Sequence, residues 1–204
     1  MSFINRGFQG RRDRRATGIP PGQHLVEDFP VLSAGPTPDV DLATWDLTIT
    51  GAGEVLGRWD WPALQALPGD SPTVDIHCVT SWSKLGTRWE GVSVDVLLDA
   101  AAIDPAAAGY AYAMAFCDGG YTTNLPLADL TGGRAWVVWG YDGAPLEPEH
   151  GGPVRLLVPH LYFWKSAKWL RGLRLMAGDE PGFWERLGYH DRGDPWQEQR
   201  YQGD

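Results

Sequence analysis

Apolar and polar residues alternate with a period of two in several short stretches, and helical spacing is confined to brief segments. Trp45-Asp46-Leu47-Thr48-Ile49-Thr50 alternates as a half-buried strand does, and Gly51-Ala52-Gly53 ends it. Thr73-Val74-Asp75-Ile76-His77-Cys78 repeats the pattern. Stretches 110–117, 135–139 and 154–158 are apolar enough to be buried strands. A short helix is predicted over 61–67, capped by Asp60 with Pro62 near its start, and another over 92–102 behind Ser93 as a candidate cap. Residues 162–171 read as a helix or 3-10 segment, and Asp118-Gly119-Gly120 as either a plain hairpin turn or a polar loop beside a bound group. Full-length helices do not alternate with the strands, so the expected fold class is α+β, a β-rich mixed domain with short helices.

The chain has 204 residues, enough for one domain with a core, expected over 21–204. Residues 1–20 read as a flexible basic arm carrying Arg6, Arg11, Arg12, Arg14 and Arg15 against Asp13. A twin-arginine export signal needs an apolar stretch behind its arginines, whereas Ala16-Thr17-Gly18-Ile19-Pro20-Pro21 follows these. No apolar run reaches the length of a membrane span and none resembles a secretory signal, so a cytoplasmic location is expected. The formal charge, 17 − 26 = −9, argues against nucleic acid as the main partner. Two cysteines, 39 positions apart with no C-x-x-C, exclude a disulfide scaffold and argue against structural zinc. The surplus of 11 Trp, 26 Gly and 16 Pro describes a loop-rich, aromatic-rich domain.

Candidate chemistry gathers in two regions. On an extended strand Val74, Ile76 and Cys78 share one face and Asp75 and His77 the other, so His77 is poorly placed as a base for Cys78. Cys78 opens into the Ser/Thr/Gly-rich stretch Val79–Gly86. It either presents its sulfur to a ligand or fills the core as a small hydrophobe; Cys117 reads as core. In His150-Gly151-Gly152-Pro153-Val154-Arg155 the glycines let backbone approach a ligand, and Arg155 needs an anion or a carboxylate. Lys165, Lys168 and Arg171 follow at i, i+3 spacing around Ser166, a stripe suited to a phosphate or simply a solvated basic face. Lys84 and Arg88 either line the mouth of a site or face solvent. Trp136, Trp139, Trp164 and Trp169 read mainly as packing.

In order and spacing these segments resemble the molybdopterin-binding domain of the sulfite oxidase family. That family also includes the catalytic subunit of a bacterial periplasmic methionine sulfoxide reductase. The resemblance runs from about Gly22 to the C-terminus and is carried by His77-Cys78-Val79-Thr80-Ser81-Trp82-Ser83 and the block His150 to Trp169. The ending Gly182-Phe183-Trp184-Glu185, Gly188-Tyr189-His190 and Gly193-Asp194-Pro195-Trp196 is similar to small stand-alone members. The resemblance implies a Mo-molybdopterin cofactor, with Cys78 as the thiolate ligand of molybdenum. It implies that Ser166, Ala167 and Lys168 hold the pterin phosphate and that Arg155 contacts the cofactor. His150 falls where the reductase subunit has asparagine and Asp118 where it has threonine. His24, Glu27 and Asp28 are further candidate pterin contacts, His24 standing for an asparagine and Glu27 for a tyrosine.

The implied activity is two-electron oxygen-atom transfer, cycling Mo(VI) and Mo(IV), on a small and possibly anionic sulfur or nitrogen oxo-compound. No C-x-x-C-H haem motif is present, so a separate electron-transfer partner is expected. The sequence leaves the oligomeric state open, a monomer being compatible with it. Two other readings stand beside this one: a non-catalytic pterin- or anion-binding module, and a thiol enzyme using Cys78 alone.

Overall fold

The computed structural model describes residues 18–204, so the arginines of the basic arm lie outside the described residues. The order is β1 (His24–Leu25), β2 (Asp46–Gly51), β3 (Glu54–Asp60), α1 (Trp61–Gln65), β4 (Thr73–His77), β5 (Trp82–Ser93) and α2 (Val94–Ala100). Then come β6 (Tyr112–Cys117), β7 (Thr122–Pro126), α3 (Leu127–Leu130), β8 (Trp136–Tyr141), β9 (Ala144–Pro145), β10 (Arg155–Leu157) and β11 (Leu170–Met176). Two mixed sheets with short helices make the α+β fold expected from the pattern.

One sheet runs β3-β2-β11-β6-β7, with β11 parallel to β2 and antiparallel to β6. The other runs β1-β5-β8-β10, with β4 paired to the first half of β5 and β9 to β8. Successive residues of β8 and β10 point to opposite faces. Val137 and Leu156 join the larger core with Leu47, Ile49, Ala115 and Leu173 of the first sheet, so this core lies between the sheets. Trp136, Val138 and Leu157 join a smaller cluster with Ile76, Cys78, Trp82 and Trp89 on the second sheet's other face. Burial on both faces explains why β8 reads as a near-continuous apolar run and β10 as one broken only by Arg155.

The caps act as expected: the Asp60 carboxylate accepts from Ala63 N–H at 2.9 Å and Ser93 Oγ from Val96 N–H at 3.3 Å. The second helix is shorter than its periodicity suggested, because Val92 and Ser93 still pair with β8. Two expectations fail. The stretch after Cys78 is a tight turn ending at Ser81, after which β5 begins, rather than a loop through Gly86. Residues 162–171 are not one helix: a 3-10 turn covers Phe163–Lys165, and Trp169 at φ 56° swings the chain into β11. There Leu170, Leu173 and Leu175 gain more burial between the sheets than a surface helix would provide.

Candidate functional site

β4 ends at His77 and delivers Cys78 to a four-residue turn. Ser81 N–H donates to Cys78 O at 3.0 Å, and Cys78 N–H donates to Trp82 O at 2.8 Å. Ser81 holds φ 77°. Cys78 is 8% exposed and packs with Ile76 and Trp82, as the one-face reading of the strand requires. Its sulfur accepts from the Thr80 hydroxyl at 3.2 Å. Burial pushes the Cys78 thiol up, and the Thr80 hydroxyl, the Thr80 and Val79 backbone and the charge of Arg200 pull it down. His77 is hydrogen-bonded through Nδ1 to Ser83 Oγ at 2.8 Å, away from the sulfur, and burial lowers its pKa.

The second part of the site is the segment 146–153 and the chain that folds back on it. Gly151 has φ 110°, and a Cβ there would lie 3.0 Å from Lys168 Cα; a Cβ on Gly152 would collide with the Leu146 carbonyl oxygen. Only glycine lets this loop close on both neighbours. The closure sets His150 against Phe29, rings stacked at 4.0 Å, and leaves His150 Nδ1 buried without a partner. Burial lowers the His150 pKa, as do Lys168 and Arg155.

Arg155 is 1% exposed and finds no carboxylate at ion-pair distance among the described residues. Its guanidinium donates to His150 O and Ser166 O, both at 2.6 Å, and lies 4.1 Å from the Phe163 ring centre. Burial lowers its pKa to about 9. Among the described residues Lys168 Nζ donates only to carbonyls, Leu32 O at 2.7 Å and Glu149 O at 2.6 Å. Burial, then Arg155, lowers its pKa to about 8. Two neighbouring cations held by carbonyls and rings form a site that an anion would stabilise.

The remaining sequence candidates fall in different places. Ser166 and Ala167 are buried behind Lys168: Ser166 Oγ accepts from Val158 N–H at 2.8 Å and Ala167 O from Leu156 N–H at 2.9 Å. The proposed cationic stripe does not form. Lys165 is fully buried against Glu185 at 2.6 Å, with Asn124 and the Asp191 carbonyl also accepting from it. Arg171 pairs with Asp46 at 2.5 Å. Lys168 stays with Arg155, because the 3-10 turn ends at Lys165, Ser166 leaves helical geometry and Trp169 turns the chain again before Arg171. Asp118 starts the turn after β6, its N–H on Trp169 O and its carboxylate 3.8 Å from Arg171. Cys117 lies in the larger core, and burial drives its thiol pKa far up. His24, Glu27 and Asp28 are exposed on the segment pairing with β5. Lys84 donates to the Glu27 carbonyl and Arg88 pairs with Asp142. The Trp136, Trp164 and Trp169 N–H groups are engaged by Asp70, Glu185 and the Pro148 carbonyl, consistent with packing roles.

Five site neighbours escaped the sequence reading: Gln23, Phe29, Trp82, Tyr162 and Arg200. Gln23 donates to Cys78 O at 3.1 Å, and Phe29 packs against Trp82 and Phe163. Trp82 Nε1 and the Tyr162 hydroxyl are buried without a partner among the described residues, and burial pushes the Tyr162 pKa up. A soft sulfur donor, unused polar atoms on His150 and Trp82, and two cations without carboxylate partners suit a sulfur-ligated metal group with an anionic tail. The donor set therefore fits a molybdenum–pterin cofactor.

The comparisons point the same way. The sequence model described as the oxidoreductase molybdopterin binding domain matches residues 34–184. An uncharacterized oxidoreductase, YuiH of Bacillus subtilis, is 41% identical over 195 residues, 95% of this chain and 97% of that protein. Sulfite oxidase of Arabidopsis thaliana is 24% identical over 197 residues, 80% of this chain but 50% of that protein. Among solved structures, the sulfane dehydrogenase SoxCD of Paracoccus pantotrophus matches with a TM-score of 0.62 at 18% identity, over 74% of this chain and 42% of that one. The last likeness is one of fold.

Proposed function

The chain belongs to the oxidoreductase molybdopterin-binding domain family, of sulfite-oxidase type, and from that premise we propose that it is a Mo-molybdopterin-dependent oxidoreductase with Cys78 as the protein's ligand to molybdenum. The observation that carries the reading is that Lys168 feels the charge of Cys78 on one side and of Arg155 on the other, beside the unpartnered polar atoms of His150 and Trp82. When bound, the cofactor supplies two-electron oxygen-atom transfer, here to or from a small sulfur or nitrogen oxo-compound. The electrons leave or arrive through a separate partner protein.

Each residue then has a task the fold equips it for. Cys78 binds through sulfur, and the Thr80 hydroxyl donates to that sulfur and so favours the thiolate. Lys168 and Arg155 hold the phosphate, with Ser166 and Ala167 shaping the backbone beneath it. His150, kept neutral by its surroundings, and the Trp82 N–H orient the ring system. Phe29, Trp82 and Phe163 form an apolar wall that excludes water. His24, Glu27 and Asp28 flank the outer edge as further pterin contacts, and Asp118 reaches the cofactor only at the expense of its pairing with Arg171.

Metal analysis of protein from a molybdenum-replete host tests this. About one molybdenum per chain is expected, with Cys78→Ala lowering it strongly while the fold persists. Folded protein carrying neither molybdenum nor an oxidisable fluorescent pterin sinks the reading, provided the host's cofactor synthesis is intact. Pterin retained equally by Cys78→Ala would identify a non-catalytic binding module instead.

A further inference from the structure

The turn that carries Cys78 is strained and short. Ser81 sits at φ 77°, a region L side chains rarely adopt, and the turn's own backbone hydrogen bonds join Cys78 to Ser81 and Trp82, with the Thr80 hydroxyl on the Cys78 sulfur beside them. Such a conformation persists when its surroundings over-determine it, and here two side chains reach in from opposite ends of the described chain. Gln23 donates to the Cys78 carbonyl at 3.1 Å, and Arg200 Nη1 donates to the Val79 carbonyl. The Arg200 guanidinium also lies over the Tyr162 ring, 5.0 Å from its centre, and thereby touches the 150–169 block that carries Lys168.

We propose that Arg200 is a positioning residue that clamps the Cys78–Trp82 turn through the Val79 carbonyl and so holds the Cys78 sulfur where the cofactor meets it. Arg200 lies beyond the matched family region, which ends at 184, so the clamp is supplied by the C-terminal tail. The tail is firmly seated. Buried Lys165–Glu185 holds its start, Gln202 donates to Glu185 O at 3.3 Å, and Arg192 donates to buried Asp129 at 3.2 Å. At Arg200 itself the backbone N–H is taken by Asp204 at 3.0 Å and the carbonyl accepts from His190 N–H at 3.2 Å. The guanidinium therefore projects from fixed backbone, as a clamp must. A charged donor on a carbonyl holds more strongly than a neutral one, which is why arginine suits the task.

The proposal rests on the preceding reading for its functional half alone. Amide hydrogen exchange of full-length cofactor-free protein, followed residue by residue, tests the clamp without the cofactor. Arg200→Ala is expected to speed exchange at the Cys78 and Ser81 amides about tenfold, with β2, β6 and β11 amides unchanged, and Arg200→Lys to restore most of the protection. In protein from a molybdenum-replete host, the same Ala variant is expected to retain several-fold less molybdenum, and the Lys variant to recover it. Should Arg200→Ala lose its cooperative melt, Arg200→Met, which keeps the packing over Tyr162 but no donor, carries the same comparison. Unchanged exchange at Cys78 and Ser81 overturns the clamp. So does full molybdenum retention despite faster exchange, which would mean that the sulfur needs no aiming. Failure of the cofactor reading looks different: wild-type protein itself would carry no molybdenum.

Discussion

Cys78 and His77 are chain neighbours with opposite fates, and strand geometry separates them: one side chain enters the aromatic cluster, the other turns to Ser83. That division was legible from alternation alone. Burial was not, since the pattern does not say which face another element will cover. Lys168 shows the same limit. Its distance from Lys165 in sequence suggested a shared stripe, yet its partners are the Leu32 and Glu149 carbonyls and its pKa is held at about 8 by burial and Arg155. An anion binds its protonated form, so lowering the free-state pKa moves the loss of affinity to lower pH. Affinity of the cofactor-free protein for pyrophosphate is therefore expected to fall above about pH 8, and titration calorimetry across that range reads it. Lys168→Met should bind about tenfold more weakly and lose this pH dependence. An affinity flat through that range in the wild type would remove Lys168 as the phosphate holder.

Among the elements, the loops around Gly151 and Gly152 contribute more to the site than any strand. The two glycines were recognisable in the sequence as a place of close backbone approach; what approaches is Leu146 on one side and Lys168 on the other, rather than a ligand alone. Gly152→Ala is expected to cost about 1–3 kcal/mol in stability, because the added methyl meets backbone that cannot swing away. Denaturant unfolding measures that loss, and a neutral result would mean the loop yields where the packing says it cannot. The segment from Tyr162 to Arg171 departs most from its reading as a helix or 3-10 segment, which holds only for the turn Phe163–Lys165. Its charges have helical spacing, but Leu170, Leu173 and Leu175 fit equally well on a strand, and short apolar runs do not distinguish the two. The gap between the sheets decided for the strand.

For the whole molecule, the C-terminal tail wraps back onto the β6–β7 side and is tied there by Lys165 and Glu185, both fully buried. Glu185 Oε1 accepts from Lys165, from Thr123 at 3.1 Å and from the Trp164 indole at 3.0 Å. Lys165→Met leaves a buried carboxylate without its cation and is expected to cost about 3–5 kcal/mol. Lys165→Met with Glu185→Leu should recover much of that, because the penalty belongs to the unpaired charge; thermal unfolding of both variants checks the pair. No helix among the described residues is long and apolar enough to cross a membrane.

The sequence by itself determined the β-rich α+β class, the two capped helices, the β6–β7 hairpin turn and the strand face of Cys78. These depend on local periodicity, capping and turn chemistry, each encoded within a few consecutive residues. It also held the order of motifs that resembles the molybdopterin-binding family. Only the tertiary structure decided that Arg155 has no carboxylate partner among the described residues, that Lys165 belongs to the tail, and that Phe29 and Arg200 reach the Cys78 region. Those outcomes depend on which surfaces meet across distances of 20 to 121 positions, where no local pattern constrains the partner. Desolvation then sets the charges, and it acts only once the chain has closed around them.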